Sequence, residues 1–162
     1  MRSAQQEIKS KENRMANVMS MAVLILCLAI ALPAHGRDTK HLLPIAVAME
    51  TKDAQDKLDG SVKFYFGDQA PPQVVTVLGS DVSNRKTNAF GKSDENACHW
   101  AFLSAMVALQ TRAQQMGANA VINIVSYYNK RVMSSATEFE CHAGAIMAGV
   151  ALKGNFVKIA DG

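Results

Sequence analysis

This chain has no long hydrophobic run. Its most apolar stretch, residues 21–32, holds 12 residues, whereas a helix spanning a bilayer needs about 20. That argues against a membrane anchor. Cysteine is scarce: three are present in 162 residues, none forms a C-x-x-C pair, and no Lys or Arg stands beside Cys98 or Cys141 to lower a thiol pKa. A dithiol redox centre is therefore disfavoured. Hydrolase settings are missing too. No serine lies in G-x-S-x-G, and His41, His99 and His142 have no nucleophile placed with them in sequence. The phosphate-binding loop is incomplete: Gly91-Lys92-Ser93 has the right ending ahead of a helix, but Lys86 stands where the motif needs a glycine. Nor is there an internal repeat or a low-complexity segment.

What is present begins with that apolar run. It follows a charged N-terminal stretch and precedes Ala34-His35-Gly36, so residues 1–36 read as a secretory signal peptide cut after Gly36, with small residues at the −3 and −1 positions. Cys27 has no small residue before it and lies mid-run, so it reads as a hydrophobe of the leader rather than a lipidation site. The leader carries Arg2, Lys9, Lys11 and Arg14 against Glu7 and Glu12. Its removal brings the net charge from +3 to about +1, which gives no electrostatic case for nucleic acid or an anionic membrane. Residues 37–162 are the length of one ordinary domain.

Along that domain, residues 41–58 predict one or two short helices, with Pro44 in a first turn and Thr51 as a cap. Residues 61–66 and 73–78 read as strands. The polar segment 79–96 reads as loop, part of which extends the preceding strand. The clearest element follows: Cys98, Ala101, Phe102, Ala105, Met106, Leu109, Ala113 and Met116 recur at helical spacing. Ser93 suits its N-cap, Asp94 and Glu95 suit the positive end of its dipole, and Gly117 suits its C-terminal stop. Residues 118–127 predict a strand with Ile122 and Ile124 on one face and Val121, Asn123 and Val125 on the other. Residues 137–152 predict a long strand or a broken pair interrupted by Gly144 and Gly149, and 155–159 a last strand.

In an oxidising compartment Cys98 and Cys141 are the two cysteines left to pair, tying the core helix to a downstream strand. Each is followed by a histidine. Cys98, His99, Cys141 and His142 would make a four-ligand zinc or copper set, but successive strand residues point to opposite faces, which keeps Cys141 and His142 from one ion. Glu138 and Glu140 share a face of the predicted strand and read as solvated. Tyr127 and Tyr128 beside Lys130 and Arg131 form a candidate contact patch. No residue is assigned a catalytic role.

Residues 109–124, LQTRAQQMGANAVINI, resemble the signature of the YbjQ and RcsF families, in which a helix ends at a glycine before an Ala-Asn/Asp-Ala-Val strand. Glu140-Cys141-His142-Ala143-Gly144-Ala145 resembles their returning strand. FYFGDQ at 64–69, SNRKTNAF at 83–90 and SSATEFEC at 134–141 look closer still to small exported proteobacterial proteins often labelled excinuclease ATPase subunits. That label fails on the residues, since the chain has neither an intact phosphate loop nor zinc cysteines. The resemblance implies an α+β domain with a long helix packed on a small, mostly antiparallel sheet. RcsF-like proteins are envelope stress sensors with several disulfides and a lipid anchor. This chain can form one disulfide and shows no lipid site, so the sensor role is not carried over.

The expectation is an exported, periplasmic, non-catalytic interaction or binding module with one disulfide. Its partner would be an envelope protein or a small ligand, with no nucleic acid, nucleotide or cofactor. It would meet a membrane only through an uncleaved leader. The alternative is a periplasmic protein holding zinc or copper on the Cys-His pairs, and a third is an enzyme of unknown type.

Overall fold

The computed structural model describes residues 36–160 together with positions 11 and 14. The chain divides into two units, Met1–His35 and Gly36–Gly162. In the first, Lys11 and Arg14 are helical and exposed, and the apolar leader run with Cys27 lies outside the described residues. Among the described residues no helix is long and apolar enough to cross a membrane.

The second unit is α+β. Strand β1 (Thr39–Pro44) leads into two short helices, α1 (Ile45–Met49) and α2 (Lys52–Lys57). Strands β2 (Lys63–Phe66) and β3 (Val74–Asn88) precede the long helix α3 (Asp94–Met116). Strand β4 (Ala120–Ser126), a 3-10 turn (Tyr128–Lys130), β5 (Glu138–Ala143) and β6 (Met147–Ile159) complete it.

Helix α3 forms because one face is continuously apolar and both ends are marked. Ser93 Oγ accepts from the Asn96 N–H at 3.2 Å, and Gly117 adopts the left-handed conformation at φ 71° that closes the last turn. Cys98, Ala101, Phe102, Ala105, Met106, Leu109 and Ala113 are all buried, and Met116 packs at the margin. Phe102 sits between Phe139 of β5, 4.2 Å away by ring centroid, and Phe66 of β2, 6.2 Å away. The aromatic row thus joins helix to sheet. Thr51 caps α2 by accepting from the Ala54 N–H.

Strand β6 is the axis of the sheet. One edge pairs with β3 along its whole length, and the other meets β5 first and then β4, all antiparallel. β1 continues beyond β5 antiparallel, and β2 lies parallel beside β4. The order β1-β5-β6-β4-β2, with β3 on the far edge of β6, curls over α3. A smaller apolar cluster, Ala120, Val157 and Ile159 with Tyr65, Val74 and Ile122 packed against it, covers the reverse face.

Four expectations are corrected. Residues 39–44 form a strand, because alternation of half-buried His41 and Leu43 with exposed neighbours suits an edge beside β5. The polar segment 79–88 is strand throughout, held by pairing to β6 rather than by an apolar face. Residues 147–159 are one continuous strand. In β4, Asn123 takes φ 50° at a break in register, a bulge that moves Val121 and Ile124 to the same, core-facing side while Asn123 faces solvent.

Candidate functional site

The Cys98–Cys141 disulfide joins the first turn of α3 to β5. Both residues are fully buried against the aromatic row, so the bond staples the two halves of the core.

β1 and β5 run side by side, and the pleat sorts their side chains onto two faces. Lys40 lies opposite His142, and Leu42 opposite Glu140, on the outer face; His41 lies opposite Cys141 on the α3 side. On the outer face the His142 imidazole is held at both nitrogens. Nδ1 is 2.9 Å from Asp38 Oδ1, and Nε2 is 2.9 Å from Glu140 Oε1. Glu140 also takes Lys40 Nζ at 2.9 Å. The sequence reading of Glu140 as solvated is thereby corrected: its side chain is only 11 % exposed. Burial pushes its pKa up, and Lys40 with His142 outweigh that to hold it below the usual carboxylate range. Glu138 remains exposed.

Tyr128 covers the imidazole, its ring centroid 3.6 Å from that of His142 and the planes 5° from parallel. The turn after β4 places it there. Asn129 and Lys130 both take positive φ, 49° and 62°, and the Lys130 and Arg131 N–H groups donate to the Tyr127 and Tyr128 carbonyls. Burial, then the charges of Asp38 and Glu140, push the Tyr128 phenol pKa up.

Beside this stack opens a cavity of about 350 Å³, lined by Arg37, Asp38, Lys86, Tyr128, His142 and the 144–149 turn. Two of its lining residues are exposed apolar side chains, Ile146 at 66 % and Met147 at 47 %, and Phe90, 75 % exposed, follows Ala89, whose N–H donates to the Ile146 carbonyl at 2.7 Å.

On the α3 side, Arg37 grips Asp94 with both terminal nitrogens at 2.6 and 2.7 Å and donates to the Gly144 carbonyl at 2.9 Å. His41 Nε2 is 3.0 Å from the same carboxylate. The Arg37 bonds hold the Asp94 carboxyl down at about 2, against burial and with help from His41.

The proposed four-ligand set does not converge. The sulfurs bond each other, and His142 points to the opposite face of β5 from Cys141. His99 lines a separate cavity with Thr51, Asp53, Glu95 and Trp100. Among the described residues no cluster of three or more His, Cys, Asp or Glu side chains could hold a metal ion. The contact patch is brought together only in part: Tyr128 is on His142, Tyr127 lies under Lys153 Nζ at 5.2 Å, and Lys130 and Arg131 are exposed in the same turn. Lys92 Nζ folds back on the Asn88 carbonyl at 3.1 Å. Sequence reading missed Asp38 and Asp94 as partners of His142 and His41, and Arg37 and Lys40 as partners of Asp94 and Glu140. The one available signal was the unbroken run of polar residues at 38–41.

No protein-family model matches this chain, and no curated protein matches it.

Proposed function

We propose that this chain is a non-catalytic, exported interaction module that meets an envelope partner over the cavity beside His142 and Tyr128 and the exposed side chains of Phe90, Ile146 and Met147. The carrying observation is that Ile146 and Met147 are exposed on the cavity, with exposed Phe90 next in sequence to the Ala89 that bonds the Ile146 carbonyl, the kind of surface that marks a contact site. His142 supports a binding role over a catalytic one: both of its nitrogens are engaged by carboxylates, whereas a general base needs a nitrogen open to substrate. Export is supported by the leader-like residues 21–36 and by a disulfide, which persists in oxidising compartments.

The test is a photo-crosslinking residue placed at Ile146 in cells, with Val47 on α1 as control. A discrete adduct from position 146, absent from position 47 and lost when Phe90 is changed to Asp, is the expected result. Equal labelling at both positions, or none at 146, would overturn the reading. Intact mass without reductant tests export: the expected chain begins near Arg37 and is two hydrogens light.

A further inference from the structure

β3 is paired on one side by β6, and among the described residues nothing pairs its other edge. Its backbone there is served by its own side chains. The Val82 N–H donates to Asp81 Oδ1 at 2.7 Å, and the Asn84 carbonyl accepts from Arg85 Nη1 at 3.3 Å. Backbone groups two residues apart in a strand point to the same side, so these two mark the open edge.

That edge borders the flank of α3, and between them runs a groove of about 460 Å³. Its β3 side is Asp81, Ser83 and Arg85, alternate residues on one face of the strand, together with Val82; of these Ser83 is buried and the others are exposed. Its α3 side includes Val107, Ala108 and Arg112. Two details point to an absent occupant. Ser83 is only 6 % exposed, and its Oγ, a donor and acceptor, has no hydrogen-bond partner. Such buried groups are normally satisfied. The charges are also unbalanced: Arg85 and Arg112 face a single carboxylate, Asp81, which Arg112 reaches only at 3.6 Å.

We propose that this groove binds an extended, acidic segment of another protein as an added strand. The segment pairs with Val82 and Asn84, displacing the side chains of Asp81 and Arg85 that now serve them, and its inward side chains lie along Val107 and Ala108. Arg85, released from the Asn84 carbonyl, meets an acidic side chain. An edge strand beside a helix supplies both parts of such recognition, main-chain bonds for affinity and helix-side pockets for selectivity. The groove shares no lining residue with the cavity under Tyr128, so this second surface stands or fails separately.

The experiment is selection of a random twelve-residue peptide library on the purified oxidised protein, followed by fluorescence anisotropy of the enriched peptides. Enriched peptides are expected to carry net negative charge. Their affinity should fall about tenfold or more in Ala108→Trp, which fills the groove, and in Arg85→Glu, which reverses its charge. Methylating alternate peptide amides should weaken binding in one register and not the other, and Phe90→Asp should leave it unchanged. Arg85→Glu lies on an exposed position, so the test survives if Ala108→Trp does not fold. Three results would overturn the proposal: no acidic enrichment, binding indifferent to both groove variants, or a dimer of the chain that Arg85→Glu dissociates, which would put a second copy on this edge.

Discussion

The imidazole of His142 lies flat on the phenol ring of Tyr128, centroids 3.6 Å apart, while each of its nitrogens is 2.9 Å from a carboxylate oxygen, of Asp38 and of Glu140. One residue is thus fixed in every direction by partners from three segments. The ring is thus anchored at both nitrogens as well as on its face.

Removing the stack while keeping the hydrogen bonds isolates its contribution. Tyr128→Phe should unfold in urea at the same midpoint as the parent, whereas Tyr128→Ala should lose about 1 kcal/mol beyond the area it uncovers. Equal losses in the two variants would place the effect in the hydroxyl rather than the ring.

The disulfide closes a loop of 43 residues between two otherwise distant parts of the core. On loop-entropy grounds it stabilises the fold by about 4 kcal/mol. Replacing Cys98 and Cys141 together by Ala should lower the urea midpoint accordingly. Reductant should destabilise the parent chain to a similar degree and leave the double variant untouched. A reductant-insensitive parent would mean that the bond does not form in the isolated protein.

Acid should unfold this protein through its carboxylates. Asp94 is held at about 2 by Arg37, and Glu140 is held below its usual range by Lys40 and His142 despite burial. A carboxyl whose folded pKa is lowered binds its proton more readily in the unfolded chain. Its contribution is therefore complete above about pH 5 and is lost as pH falls toward the folded value near 2. Melting temperature should drop over that window, and Asp94→Asn should flatten the drop while lowering the plateau above it. A variant that melts like the parent at pH 6 and at pH 3 would refute a stabilising role for the Arg37 clamp.

The core helix and its caps were legible because eight apolar positions repeat at one period between Ser93 and Gly117, a signal that needs no tertiary partner. The polar strand β3 was not. Its burial is one-sided and broken, and what makes Asp81 to Asn88 extended is β6, whose register no local pattern encodes. The face assignment in β4 failed for a related reason: a single left-handed residue, Asn123, shifts the alternation by one, and only the paired strands on either side show where. The Cys98–Cys141 pair was readable by counting. The ionic face was not, since Lys40 and Asp38 meet Glu140 and His142 across about a hundred residues of chain, and single charged residues in a sequence look like ordinary surface.

Two glycines with similar backbone angles separate strain from contact. Gly67 has φ +56°, and a Cβ there would lie 2.7 Å from the Ser135 carbonyl carbon and 2.9 Å from the Ala136 nitrogen; Gly91 has φ +72° and open space around it. Both positions penalise any side chain through the left-handed backbone, at about 1–2 kcal/mol. Gly67→Ala must in addition push back the 135–136 segment, and that segment anchors the start of β5: Ser135 Oγ accepts from the Thr137 and Glu138 N–H groups, and the Thr137 carbonyl accepts from Ile45 at the head of α1. Gly67→Ala should therefore cost clearly more than Gly91→Ala, by about 2 kcal/mol or more in urea unfolding. Its excess should appear as faster hydrogen exchange at Thr137, Glu138 and Ile45 rather than across the sheet. Equal costs in the two variants would show that the approach of Gly67 to Ser135 is not a packing constraint.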